Sequence, residues 1–215
     1  MASLRALKAC GIVLSGLLML VVVWDASLAA AQSPTIRYVQ SSYAVPQSSQ
    51  TTVAVTFPAA QTAGNLNVVV VGWNDASATV SSVADSATNP YALAVGPTVR
   101  AGKATQAIYF AKNIRSGANT VTVRFSTPAA YPDIRVLEYS GLDPVNPLHA
   151  SAAASGSGSS PNSGSLTTTT PNVLLVAGSV VATATTGPGA GYTSRMITSP
   201  DGDIVEDRIV TTTGS

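Results

Sequence analysis

The 215-residue chain carries eleven basic and ten acidic side chains, with one histidine and one cysteine, so it is nearly neutral and poor in catalytic groups. Charged residues make up only 10% of the sequence and are scattered singly, which excludes a basic surface for nucleic acid or an anionic membrane. A single histidine cannot complete a zinc site built from His and Cys ligands.

The N-terminal segment differs in composition from everything that follows it. Two basic residues precede an uncharged, mostly apolar run over residues 9–24, and small residues then continue to Ala31. This order is typical of a secretory signal peptide with an A-x-A cleavage site. The run is shorter than the roughly 20 apolar residues that cross a bilayer. We therefore expect residues 1–31 to be a signal peptide, and residues 32–215 to be secreted or periplasmic with no membrane attachment after cleavage.

After that segment the composition favours strands. Cys10 lies within the apolar run, so residues 32–215 contain no cysteine and no disulfide can support the fold. Thr, Ser, Val, Ala, Gly and Pro are abundant, whereas the helix-forming residues Glu and Lys are scarce. An all-β fold is the prediction.

Strands are predicted at intervals of about ten residues along the chain. Alternation of apolar and polar residues indicates half-buried strands around Val53, Val55 and Phe57, and again around Val121, Val123 and Phe125. Two runs are almost continuously apolar, which predicts central strands covered on more than one side. In chain order the predicted strands are 36–44, 52–57, 66–73 (continuously apolar), 79–84, 91–95, 105–112, 120–125, 134–140, 173–181 (continuously apolar) and 204–210.

About ten short strands separated by Gly, Pro and Asn turns predict two packed antiparallel sheets. The strand count favours a jelly roll, and an immunoglobulin-like sandwich is the alternative. Residues 155–170 are rich in Ser, Gly and Thr. Because the 45 or so residues after them are few for an independent domain, we interpret 155–170 as an internal loop of one domain spanning 32–215.

Several motifs carry a resemblance to a known family. They are Gly64-Asn65 followed by VVVVGW at 68–73, IRVLEYSGL at 134–142, and GAGY at 189–192. They resemble those of an uncharacterised family of secreted bacterial β-sandwich modules, which occur alone or beside fibronectin type III-like repeats. The resemblance implies a sandwich over most of the chain and no settled activity. Such modules usually continue past Ser215 into an aromatic-rich strand, so we expect a truncated reading frame with an unfilled strand position or an open edge.

Few residues offer catalytic chemistry. The serines at 156–160 do not match a nucleophile elbow. Glu138 and Glu206 are the only glutamates, and a pair of carboxylates can act as acid and nucleophile on a sugar bond. However, Glu138 shares a predicted strand face with apolar residues, which favours a fixed polar contact with Arg195 or Arg208. We expect no enzyme activity, with a glycoside hydrolase as the less favoured alternative.

Two kinds of binding site remain open. Asp201, Asp203 and Asp207 offer oxygen ligands for a structural Ca²⁺, although Pro200-Asp201-Gly202 is equally typical of a β-turn.

Aromatic side chains are the second kind, since they can stack on sugar rings. The candidates are Trp73, Tyr91, Tyr109, Tyr131 and Tyr192. Trp73 ends a continuously apolar strand, which favours core packing, whereas Tyr131 and Tyr192 lie in turn-like sequence. The sequence therefore favours a non-catalytic module that binds carbohydrate or another cell-surface or extracellular partner. The alternative is a structural or adhesive module with no small ligand.

Overall fold

The structure is a computed structural model that describes residues 35–214, and these residues form strands joined by turns and loops. The predicted signal peptide at 1–31 lies outside the described residues. Within residues 35–214 no helix has the length and hydropathy to cross a bilayer. The strands of this part are β1 (Arg37–Ala44), β2 (Gln50–Thr56), β3 (Leu66–Trp73), β4 (Val80–Asp85), β5 (Ala92–Arg100), β6 (Ala104–Ala111), β7 (Thr120–Ala129), β8 (Asp133–Ser140), β9 (Val173–Ser179), β10 (Thr193–Ile197) and β11 (Ile204–Val210).

The first eight strands confirm the predicted antiparallel β-sandwich. A five-stranded central sheet has the order β1-β8-β3-β6-β5, and a three-stranded front sheet has the order β2-β7-β4. A jelly roll has strands 1-8-3-6 facing strands 2-7-4-5, so the connectivity is that of a jelly roll with one change. The change is in β5, which pairs with β6 in the central sheet instead of with β4 in the front sheet.

A third sheet, which the sequence did not predict, covers the other face of the central sheet. This back sheet has the order β10-β11-β9. Val69 and Val71 of β3 pack against the front sheet, while Val68 and Val70 pack against the back sheet. Because both of its faces are covered, every residue of β3 is buried, as the continuous apolar run predicts.

The prediction for the second apolar run is wrong. Residues Val173–Ser179 form the edge strand β9, and every residue in it is only half-buried. Leu174 and Val176 join the core, whereas Val173 and Leu175 point away from it. Hydrophobicity reports the burial of side chains and not the pairing of the strand edge, so an edge strand and a central strand can share one pattern. The short strand β10 also escaped prediction, because its sequence TSRMI contains few apolar residues.

Residues 141–172 connect β8 to β9 and carry an isolated bridge between Thr168 and Gly214. The Ser/Gly/Thr-rich segment 155–170 lies inside this connection. The described residues belong to one compact unit.

The back sheet approaches the central sheet closely at Gly178. A Cβ atom at this position would lie 2.9 Å from Cγ1 of Val70, which is fully buried. We therefore expect Gly178→Ala to lower the free energy of unfolding by about 1–3 kcal/mol, the usual cost of overpacking. Urea denaturation would measure it, with Gly187→Ala as the control because no atom lies within 4 Å of its Cβ position. Equal stability of both variants would show that the two sheets are not in tight contact there.

Candidate functional site

Two of the predicted sugar platforms are turned towards the interior. Trp73 is 1% exposed, stands edge-on to Phe125 with the ring centres 5.4 Å apart, and donates its indole N–H to the carbonyl of Ala78. The hydroxyl of Tyr91 donates to Asp85 and accepts from Asn67. Burial, with the Asp85 charge next, raises the pKa of Tyr91. Trp73 is therefore closed to a sugar, and the hydroxyl of Tyr91 is already engaged by protein groups.

Tyr131 and Tyr192, two further candidates, do not share a surface. Tyr131 is 49% exposed in the turn before β8, whose first residue Asp133 contacts Thr198 just beyond the end of β10. Tyr192 is half-buried and immediately precedes the start of β10. The length of β10 therefore separates them, and a single sugar chain could not stack on both rings at one short site.

The three aspartates do not converge. Asp201 accepts a hydrogen bond from Gln47, Asp203 accepts one from the backbone N–H of Val181, and Asp207 binds Arg195. Within residues 35–214 no group of three or more His, Cys, Asp or Glu side chains is arranged to hold a metal ion. The predicted calcium ligands are thus engaged by protein groups.

The predicted partner of Glu138 is wrong. Glu138 is fully buried and accepts hydrogen bonds from Gln40, from Asn65 and from the backbone N–H of Thr62, at 2.6, 2.6 and 3.1 Å. Ile134 and Val136 on the same face of β8 pack against the front sheet. The arginines belong to the back sheet, on the opposite side of the central sheet, so strand alternation points Glu138 away from them.

Arg195 is paired instead with Asp207 through two hydrogen bonds of 2.7 and 2.9 Å, and this pairing raises the pKa of Arg195. Its guanidinium lies 4.3 Å from the ring centre of Tyr38. Tyr139 donates its hydroxyl to the same aspartate. Arg208 is exposed and lies beside Gly191. The Arg195 cluster fastens the back sheet to β1 and β8.

The geometry also separates the two glutamates that a glycosidase would need. Glu206 lies on β11 in the back sheet, where it accepts a hydrogen bond from the N–H of Gly189, whereas Glu138 faces the front sheet. With the central sheet between them, these carboxylates cannot flank one sugar bond. His149 is exposed and contacts the hydroxyl of Thr169.

Buried polar groups that the sequence did not reveal are clustered between the central and back sheets. Arg135 is fully buried, lies 3.0 Å from Asp133, and donates to the carbonyls of Ser179 and Ile204. Asp203 lies beside Asp133, and Thr198 donates to Asp133 at 2.7 Å. Burial raises the pKa of both aspartates, that of Asp203 to about 7, although the charge of Arg135 opposes the shift. These groups are closed off from solvent and join the two sheets.

An open cleft lies at the edge of the sandwich where the central sheet extends beyond the narrower front sheet. It has a volume of about 190 Å³ and lies between the segment that leads into β4, from Ala76 to Val80, and strands β5 and β6 of the central sheet. The residues that line it are uncharged, and they include Val80, Pro97, Val99, Thr105, Ala107 and Tyr109. Tyr109 is half-buried, and that burial raises its pKa. We call this feature the β4 cleft.

The β4 cleft also adjoins exposed apolar side chains. Leu93 is paired with Tyr109 and Val99 with Thr105 across the β5–β6 ladder, so each lies on the same face as its partner. Both are 45% exposed. Sequence alone could not predict this site, because it exists only as a result of β5 pairing with β6.

Comparison with known proteins found no matching family model, no matching curated protein and no matching solved structure.

Proposed function

We propose that this chain is an exported, non-catalytic β-sandwich module that binds an extracellular partner in the β4 cleft. The observation that carries the proposal is the exposed apolar side chains of β5, Leu93 and Val99, beside an open cleft. Exposed apolar surface next to a concave feature is characteristic of binding sites. The separation of Glu138 from Glu206 supports a role without catalysis.

Both carbohydrate and other cell-surface partners fit a binding module of this kind. Tyr109 is the one aromatic ring among the cleft-lining residues that is only half-buried, and it offers a modest platform for a sugar. The neighbouring backbone edge of β4 offers hydrogen-bonding groups to any extended chain. The cleft therefore suits a polymer that lies along β4.

A structural or adhesive role is the second candidate. The outer face of the front sheet supports it, because it is built from small polar side chains such as Thr56 and Thr120, whose hydroxyls lie 2.8 Å apart. A face of this kind can pack closely against another flat surface without a specific ligand.

The test compares binding by the purified protein and by its Val99→Lys variant. The probes are cellulose, chitin, xylan, peptidoglycan and a displayed library of random peptides. We expect at least one probe class to bind, and Val99→Lys to weaken that binding about tenfold or more, because the ammonium group would lose water over an apolar surface.

The matched control is Val39→Lys, since Val39 is 43% exposed and lies on β1, away from the cleft. Its binding should equal that of the parent protein. If no probe class binds, or if both lysine variants bind as the parent does, the β4 cleft is not the binding site, and the structural role takes precedence.

A further inference from the structure

We propose that the occupant of the β4 cleft is an extended polypeptide strand of another protein, which adds to the free edge of β4 as a fourth strand of the front sheet. This inference rests on the proposed function and names the partner class for the same site.

The strand order leaves one position of the front sheet unfilled. In a jelly roll the front sheet reads 2-7-4-5, and here it stops at β4 because β5 pairs with β6. The central sheet consequently reaches beyond β4, and no strand among the described residues covers β5 on this side, where Leu93 and Val99 are each 45% exposed. The β4 cleft opens at the end of this position where β4 begins, beside Val80.

The edge of β4 is suited to pairing. β4 bonds to β7 on one side and, among the described residues, to no strand on the other. Its sequence VSSVAD contains neither proline nor lysine, the residues that usually prevent edge pairing. Its free N–H and C=O groups can form the ladder of an added strand. The free edge of β5, by contrast, carries Pro97, which has no N–H, and ends in Arg100.

The surface beneath this position is apolar at the spacing of a strand. An added strand would place alternate side chains over the central sheet, where Leu93, Val99 and Tyr109 lie on one face. No charged side chain is among the residues that line the cleft. The geometry therefore selects a strand with apolar residues at every second position.

A second copy of this chain does not fit the position. Pairing of two β4 edges about a two-fold axis would place the strands about 4.8 Å apart. Because each central sheet extends past its own β4, the two β5 strands would then meet in the same space. A single strand that projects from its own protein avoids this collision, so the partner is a free segment and not the edge of another sandwich.

The experiment selects random displayed peptides on the immobilised protein and titrates the enriched peptides in solution. We expect them to carry apolar residues at alternate positions and to lose about tenfold or more in affinity for Val99→Lys. Methylation of alternate backbone nitrogens should cause a similar loss, because it removes the donors of one strand edge and keeps the side chains. Amide hydrogen exchange of Val80–Asp85 should slow in the complex.

Leu93→Lys supplies a second cleft variant if Val99→Lys is not folded, and Val39→Lys remains the control. If backbone-methylated peptides bind as well as unmodified ones, the peptide docks by its side chains alone and strand addition is overturned. If polysaccharide binds in a Val99-dependent manner and no peptide is enriched, the inference is overturned while the proposed function stands. If no probe class binds, both are overturned.

Discussion

Replacing Arg135 with methionine is expected to lower the free energy of unfolding by about 3–5 kcal/mol, the usual cost of removing one partner from a buried ion pair. The substitution would leave the buried carboxylate of Asp133 without its cation. It would also leave the carbonyls of Ser179 and Ile204 without the donor that joins β9 and β11 to the central sheet. Unfolding in urea, followed by the fluorescence of Trp73, measures the change.

The matched control is Arg100→Met, because Arg100 is exposed at the end of β5. This substitution should lower the free energy of unfolding by less than about 0.5 kcal/mol. The double variant Asp133→Leu with Arg135→Met should recover part of the loss, since the carboxylate of Asp133 is then no longer buried without its cation. If Arg135→Met lowers the free energy of unfolding no more than Arg100→Met does, the back sheet does not depend on this cluster.

The sequence predicts the fold well where one face of a strand is buried. Val53 and Val55 on β2, and Val121 and Val123 on β7, all face the core as their alternation predicts. The alternation of apolar and polar residues does not predict which strands pair with each other. It could not show that β9 is an edge strand, nor that β5 would leave the front sheet, since both outcomes depend on contacts between segments distant in the chain.

The polar sites were less predictable than the core for a related reason. Glu138 was correctly assigned to a strand face shared with apolar residues, but its partners Gln40, Thr62 and Asn65 come from two other segments. The burial of Arg135 was not predicted, because alternation along β8 does not show whether the face opposite Ile134 and Val136 is covered by another sheet. Arg135 is buried because the back sheet covers this face of β8. The sequence did not predict the back sheet, because its short strand β10 contains few apolar residues. Because the back sheet covers one face of β8, that face lies in the interior. The charged residues on it must therefore be paired.

We also expect the free energy of unfolding to fall as the pH rises through the range in which the buried aspartates lose their protons. Burial raises the pKa of Asp203 to about 7, and the nearby Asp133 charge adds to this shift. In the unfolded chain an aspartate has a pKa of about 3.9. The folded state therefore holds a proton that the unfolded state has released between these two pKa values. The resulting stabilisation is fully present below about pH 4, is lost as pH rises through about 7, and contributes on the order of 4 kcal/mol.

The variant Asp203→Asn isolates this effect. Its amide oxygen can still accept from the N–H of Val181, and its amide nitrogen can donate to Asp133, but the side chain no longer titrates. Urea unfolding from about pH 4 to about pH 8 should therefore show a flatter profile than the parent, with the variant the more stable protein at the alkaline end. Asp143→Asn is the control, because Asp143 is exposed in the connection that follows β8 and contacts the backbone N–H groups of Val145 and Asn146, not the buried cluster. A parent and an Asp203→Asn variant with parallel profiles would mean that Asp203 is ionised in the folded protein, and Arg135 alone would then balance two buried carboxylates.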